Sequence, residues 1–293
     1  MSNIGMIIEE RSRDIGDFLV GRLIPFRKKR MIGPFIFIDH MGPTTLGPTK
    51  YMDVDQHPHI GLSTLTYLFD GEVIHRDSIG TEQLIQPGSV NWMTAGSGVS
   101  HTERTPSHLR NGNTFLAQGY QIWVALPQHL EDMDPVFHHI PNKELPKWTE
   151  GSAEFTLVAG EGYNKKSPVP TYSPLFMVEI KTSETFELNV NGKLKGEIGI
   201  CIDKGSIEAC GEQVGKGNIL VSKVEDTCNI VVAPDSHLLL FGGQAFPEER
   251  HIYWNFVSSS KEKINAARTA WANRTFPMMP NDNTYVPLPK HGF

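Results

Sequence analysis

His57-Pro58-His59-Ile60-Gly61-Leu62-Ser63-Thr64-Leu65-Thr66-Tyr67-Leu68-Phe69 opens on two histidines and runs into an apolar strand. The histidines stand two residues apart. In an extended chain such residues point to the same face, so His57 and His59 offer two imidazoles in one direction. A second pair, His101-Thr102-Glu103, repeats the spacing with a carboxylate in second place. It follows the glycine-rich Ala95-Gly96-Ser97-Gly98, and a Pro87-Gly88 turn lies between the two pairs. Such a turn makes antiparallel neighbours plausible. Side by side, the two strands bring three imidazoles and one carboxylate to a point. That donor mixture suits iron, manganese, zinc, nickel or copper. Either pair alone is a weak sign, and the bland alternative is two surface strands with alternating polar residues. The combination carries the metal reading.

Strand-like runs surround the two pairs. They cover 63–69, 72–76, 83–86, 90–93 and 118–126, with 18–24 and 35–40 upstream, and turns rich in Gly, Pro, Asp and Ser separate them. Short strands at this spacing indicate an all-β sandwich or barrel. Residues 127–150 read as a connector that packs on a surface through Val136, Phe137, Ile140 and Trp148. A second β region follows, with runs at 155–159, 175–180, 198–202, 219–221, 229–232 and 238–241. Gln86-Pro87-Gly88-Ser89-Val90 resembles Gly215-Lys216-Gly217-Asn218-Ile219, so the halves read as a diverged repeat. Nine of the twelve histidines precede residue 140, and none lies between His139 and His237. The second half is therefore expected to lack the metal site. Near the end, Ser259-Ser260-Lys261-Glu262 fits a capping box with Ser259 as N-cap. Ile264, Ala267 and Trp271 then form an apolar helical stripe that Asn273 and Pro277 stop.

The chain has 293 residues, which suits two domains. Its formal charge is -6, with a pI near 6.1. That balance argues against direct nucleic-acid binding, which needs cations to neutralise phosphates. The one basic run, Arg27-Lys28-Lys29-Arg30, reads as a solvated turn. Cys201, Cys210 and Cys228 are odd in number and form no CxxC, so neither a disulfide framework nor a thiolate site is expected. No window reaches 18 uninterrupted apolar residues, and no apolar leader is visible. A reducing, cytoplasmic setting without membrane contact is the expectation.

Four strings carry a specific resemblance. They are Phe37-Ile38-Asp39-His40-Met41-Gly42-Pro43, His57-Pro58-His59-Ile60-Gly61, Asn91-Trp92-Met93-Thr94-Ala95-Gly96-Ser97-Gly98-Val99-Ser100-His101-Thr102-Glu103 and Trp254-Asn255-Phe256-Val257-Ser258-Ser259-Ser260. The layout resembles the cupin superfamily, and more closely the pirin family, over almost the whole chain. The resemblance implies two jelly-roll β-barrels in tandem with a short C-terminal helix. It implies a metal-binding cupin domain at 1–135 and a cupin domain without ligands at 136–293. By motif match the ligands are His57, His59, His101 and Glu103. The general cupin pattern puts its glutamate three or four residues after the second histidine, where this chain has Leu62 and Ser63. The carboxylate role passes to Glu103. The resemblance implies one divalent transition metal, iron(II) first, with manganese, cobalt, nickel, copper and zinc as alternatives.

Family members include quercetin 2,3-dioxygenases as well as transcriptional co-regulators and redox sensors. Two functions follow as expectations. One is flavonol ring cleavage with O2, in which Glu103 doubles as catalytic base. The other is a non-catalytic, iron-dependent redox sensor acting through a protein partner. Around the ligands, His75 and His40 are candidates for orienting groups, with backbone-bonded histidines as the plainer reading. His108, His129, His138 and His139 are expected to be solvated. Phe35, Phe37, Trp92, Met93, Gln118 and Trp123 are candidate pocket walls.

Overall fold

The many glycine and proline turns divide the chain into strands of 2 to 12 residues, and the computed structural model is mostly β. It describes residues 4–14, 19–222 and 229–290. Two cupin-type units result, with a single α-helix near the C-terminus. One unit takes Met1–Arg11, Gly21–Ile36 and Lys143–Phe246; the other takes Ser12–Val20, Phe37–Asn142 and Pro247–Phe293. The sequence expectation places one boundary after residue 135. By contacts, the two ends of the chain change places instead. The strand Ile4–Glu9 pairs with Asn218–Ser222, and the C-terminal segment packs with the unit that holds 37–142.

In that second-named unit, a four-stranded sheet runs in the order Asp53–His59, Val99–Arg104, Val73–Asp77, Glu82–Ile85. The neighbouring sheet includes, in order, Val136–Ile140, Val90–Thr94, Leu62–Asp70, Phe115–Ala125 and Phe35–Leu46. All these pairs are antiparallel where register is defined. The connector expectation for 127–150 is corrected in part. Val136–Ile140 is an edge strand on Val90–Thr94, because the apolar residues placed on its surface find a sheet edge to complete. Lys147–Glu150 likewise pairs with Ala153–Gly162.

The C-terminal segment closes this unit. Phe256 forms a parallel bridge with Ile60, and the Val257 amide donates to the Ile60 carbonyl at 3.2 Å. Gly61 must be glycine there: its φ is +68°, and a Cβ would run into the carbonyl oxygen of Val257. The helix α1, Lys261–Ala272, buries Ile264, Ala267 and Trp271 as its stripe predicts. Its N-cap is Ser260, not Ser259. The Ser260 hydroxyl accepts from the Lys263 amide at 3.3 Å, while Ser259 turns to the buried carboxylate of Glu131. Two adjacent serines made the register ambiguous, and Glu131 decides it.

The interior of the other unit is filled with apolar side chains. Phe155, Leu157, Phe176, Val178, Ile200, Leu238 and Leu240 are all at most 1% exposed. Among the described residues it holds no group of converging metal donors. Glu179 alternates with Val178 and Ile180 and so faces away from that core. There His237 sits between two carboxylates, with Nδ1 3.0 Å from Asp203 and Nε2 2.8 Å from Glu179. The expectation of no disulfide is corrected at Cys210, which is disulfide-bonded. Cys201 is free and buried, and Cys228 lies outside the described residues. An odd cysteine count does not forbid a bridge; it leaves one thiol over.

Candidate metal centre

The two histidine-bearing strands are direct neighbours. His101 pairs with His57 in register, and Val99 pairs with His59. A bulge between His101 and Glu103 sets Glu103 opposite Val54. On its other edge the strand Val99–Arg104 pairs with Val73–Asp77, placing Glu103 opposite His75. The local period of two and the antiparallel pairing therefore deliver His57, His59 and His101 to one point. One nitrogen from each lies within 4.8 Å of the others. All three residues are buried, at 8%, 1% and 1% exposure.

The donor set fits a transition-metal ion. Two imidazole nitrogens bound at right angles to one ion, each about 2.1 Å away, lie about 3.0 Å apart. Nε2 of His59 and Nε2 of His101 are 3.1 Å apart. Metal binding also needs neutral imidazoles. Burial lowers the pKa of His57, and lowers those of His59 and His101 well below the usual value. Mutual repulsion with His57 and His75 adds to this for His59 and His101. The Asp55 carbonyl and the Glu103 charge act the other way on His57. Nδ1 of His57 lies 2.8 Å from the Asp55 carbonyl oxygen, to which it donates. That leaves Nε2 of His57 with its lone pair free.

Glu103 stands outside this close set. It is 8% exposed, and its Oε1 accepts from the Thr66 hydroxyl at 2.9 Å. His75 is brought to the site: its Nδ1 lies 3.3 Å from Nδ1 of His101, and its Nε2 lies 3.0 Å from Oδ2 of Asp77. His40 is not one of the close set and stacks on Tyr120 at 4.8 Å. Of the wall candidates, Trp123 meets His59 edge-on at 5.1 Å and stacks on Phe37 at 3.9 Å. Phe35 belongs to the other unit and packs on Phe241. Met93 joins a core cluster with Ala95 and Val99. His108 pairs with Glu72 at the surface, and His139 bonds Asn91.

Sequence reasoning missed Thr66, Gln121, Asp77 and Gln56. Thr66 had a signal, because it lies on the same strand face as Leu68 and Thr64. Gln56 had none. Its side chain accepts from the Met279 amide at 2.7 Å and donates to the carbonyls of Asp282 and Thr284 at 3.1 and 3.2 Å. The Ser100 hydroxyl lies 3.0 Å from Gln56 and 2.6 Å from the Pro277 carbonyl. Arg104 pairs with Asp282 at 3.0 Å. The C-terminal tail is thus tied to residues that alternate with His57, His101 and Glu103 along their strands.

Residues 18–124 match the Pirin family model, and residues 175–277 match the model of the Pirin C-terminal cupin domain. The chain belongs to the pirin family. A Pirin-like protein of Caulobacter vibrioides is 42% identical over 98% of this chain and 100% of its own length. A crystal structure called quercetin 2,3-dioxygenase, from Acinetobacter baumannii, superposes with a TM-score of 0.88 at 33% identity. It covers 97% of this chain and 94% of that one. A second structure of that name and organism gives 0.84 at 26% identity, covering 94% and 98%. His57, His59 and His101 all lie within the stretch that the Pirin model matches.

Proposed function

We propose that this pirin is a metal-dependent dioxygenase acting on flavonols, with quercetin 2,3-dioxygenase-type ring cleavage. His57, His59, His101 and Glu103 would hold one divalent ion, iron(II) by preference. The observation that carries the reading is the convergence of three buried imidazoles kept neutral by burial. The relatives called quercetin 2,3-dioxygenase support the choice of substrate class. Bound, the ion would act as a Lewis acid that lowers the pKa of a coordinated hydroxyl and orients it.

The chain's own residues supply the rest. The Trp123 and Phe37 rings beside His59 offer a flat apolar wall against which a planar ring system can lie. Burial of the cluster excludes bulk water and strengthens each electrostatic contact there. Glu103, when its carboxylate is not held at the ion, accepts the proton of the flavonol's enolic hydroxyl as general base. The test is direct. Protein loaded anaerobically with iron(II), then given quercetin and O2, is expected to yield the ring-cleavage product. No product with iron, manganese, cobalt, nickel or copper contradicts the proposal.

A further inference from the structure

We infer that Asp77 and His75 form a relay that holds His101 in the tautomer with a bare Nε2, ready to bind an ion. The inference rests on the metal reading above and extends it to two residues that touch neither ion nor substrate. Asp77 is 3% exposed. Its Oδ1 accepts the amides of Ile79 and Thr81 at 3.1 and 2.8 Å, so the turn after the strand fixes the carboxylate. Its Oδ2 faces Nε2 of His75 at 3.0 Å. Facing a carboxylate oxygen that accepts, a neutral His75 carries its one proton on Nε2. Nδ1 of His75 is then an acceptor. It lies 3.3 Å from Nδ1 of His101, which must donate. The proton of His101 is thereby held on Nδ1, and Nε2 points with its lone pair at Nε2 of His59 and the cluster. Phe137, from the edge strand Val136–Ile140, stacks on His75 at 4.7 Å and holds the ring in plane.

The direction of the chain of protons makes the inference testable apart from structural support. In Asp77→Asn the amide oxygen still accepts from Ile79 and Thr81, so the turn survives. The amide nitrogen now donates to Nε2 of His75, which forces the proton to Nδ1. His75 then donates to Nδ1 of His101, and the His101 proton moves to Nε2, where an ion should bind. The isosteric change is therefore expected to harm binding more than removal of the relay by His75→Phe, which keeps the packing against Phe137. The same carboxylate-to-amide change behind the histidine of a Ser-His-Asp triad leaves the geometry intact and gives the wrong tautomer.

Two measurements decide it. In the metal-free protein, imidazole 15N shifts are expected to show His101 protonated on Nδ1 in the wild type and on Nε2 in Asp77→Asn. With cobalt(II) as probe, its visible bands and chelator competition are expected to show a loss of about 10- to 100-fold in Asp77→Asn. A smaller loss is expected in His75→Phe, with the Asp77→Asn/His75→Phe double variant returning to the His75→Phe value. A wild-type His101 protonated on Nε2 overturns the relay whatever the metal does. So does an Asp77→Asn protein that binds cobalt like wild type, or a double variant worse than Asp77→Asn. Wild-type protein that takes up no cobalt, with the tautomers as expected, removes the metal reading and leaves the relay standing as described.

Discussion

The Thr66 hydroxyl lies 2.9 Å from Oε1 of Glu103 and also 2.9 Å from the side-chain oxygen position of Gln121. One hydroxyl proton serves one acceptor. The carboxylate makes the stronger bond, so Gln121 is read with its amide turned to donate to Thr66. Glu103 is thus held through one oxygen from the opposite sheet. Thr66→Val is expected to free the carboxylate and weaken metal binding by about 10-fold or more, with the fold intact. Chelator competition beside a thermal melt of the metal-free protein checks this. Unchanged affinity would show that Thr66 has no part in placing Glu103.

Gln56 is fully buried and joins the tail to the strand that bears His57 and His59 through both ends of its amide. Gln56→Ala strands the Met279 amide and frees two tail carbonyls. A buried unsatisfied group costs about 1–3 kcal/mol, so a loss of roughly that size is expected in denaturant melts. Hydrogen exchange should quicken across residues 279–286, and the ion should leave faster. A tail that exchanges as slowly as in wild type contradicts the brace.

The pH dependence has opposite signs at two places. For His57, His59 and His101 the folded pKa is lowered from 6.5, chiefly by burial. Below that value the unfolded chain binds protons that the native state refuses. The metal-free protein should therefore lose stability as pH falls through about 6.5. The loaded protein should keep its ion until the pH reaches the lowered folded values. Thermal midpoints of both forms across that range check the sign.

His237 behaves in reverse. Its pKa is raised above 6.5 because Asp203 and Glu179 outweigh the burial penalty. Glu179 itself is lowered to about 2, with the His237 and Lys181 contacts outweighing burial. The His237 contribution is fully present below 6.5 and is lost as pH rises through the raised value. His237→Gln should flatten the alkaline decline and leave metal content unchanged. An identical alkaline slope in the variant would rule out this clamp as its source.

Much of the site was legible because its geometry is local. The convergence of His57, His59 and His101 needs only the two-residue period of a strand and antiparallel pairing, which the turns between them suggested, whereas the bulge after His101 that sets Glu103 opposite Val54 left no mark in the spacing. What stayed hidden depends on long-range pairing. Gln56 meets Thr284 across 228 positions, and no periodicity links them. His75 reaches His101 only because a third strand completes the sheet. The helix start slipped by one residue because Glu131, far away in sequence, captures Ser259. The boundary at 135 could not foresee that the two ends of the chain exchange partners.

The most direct measurement is metal content per chain in wild type and in His101→Ala, purified without chelator and reloaded with iron(II). About one ion per wild-type chain is expected, and none in a variant whose β-sheet circular dichroism is unchanged. A folded His101→Ala protein that still holds one ion per chain would contradict it.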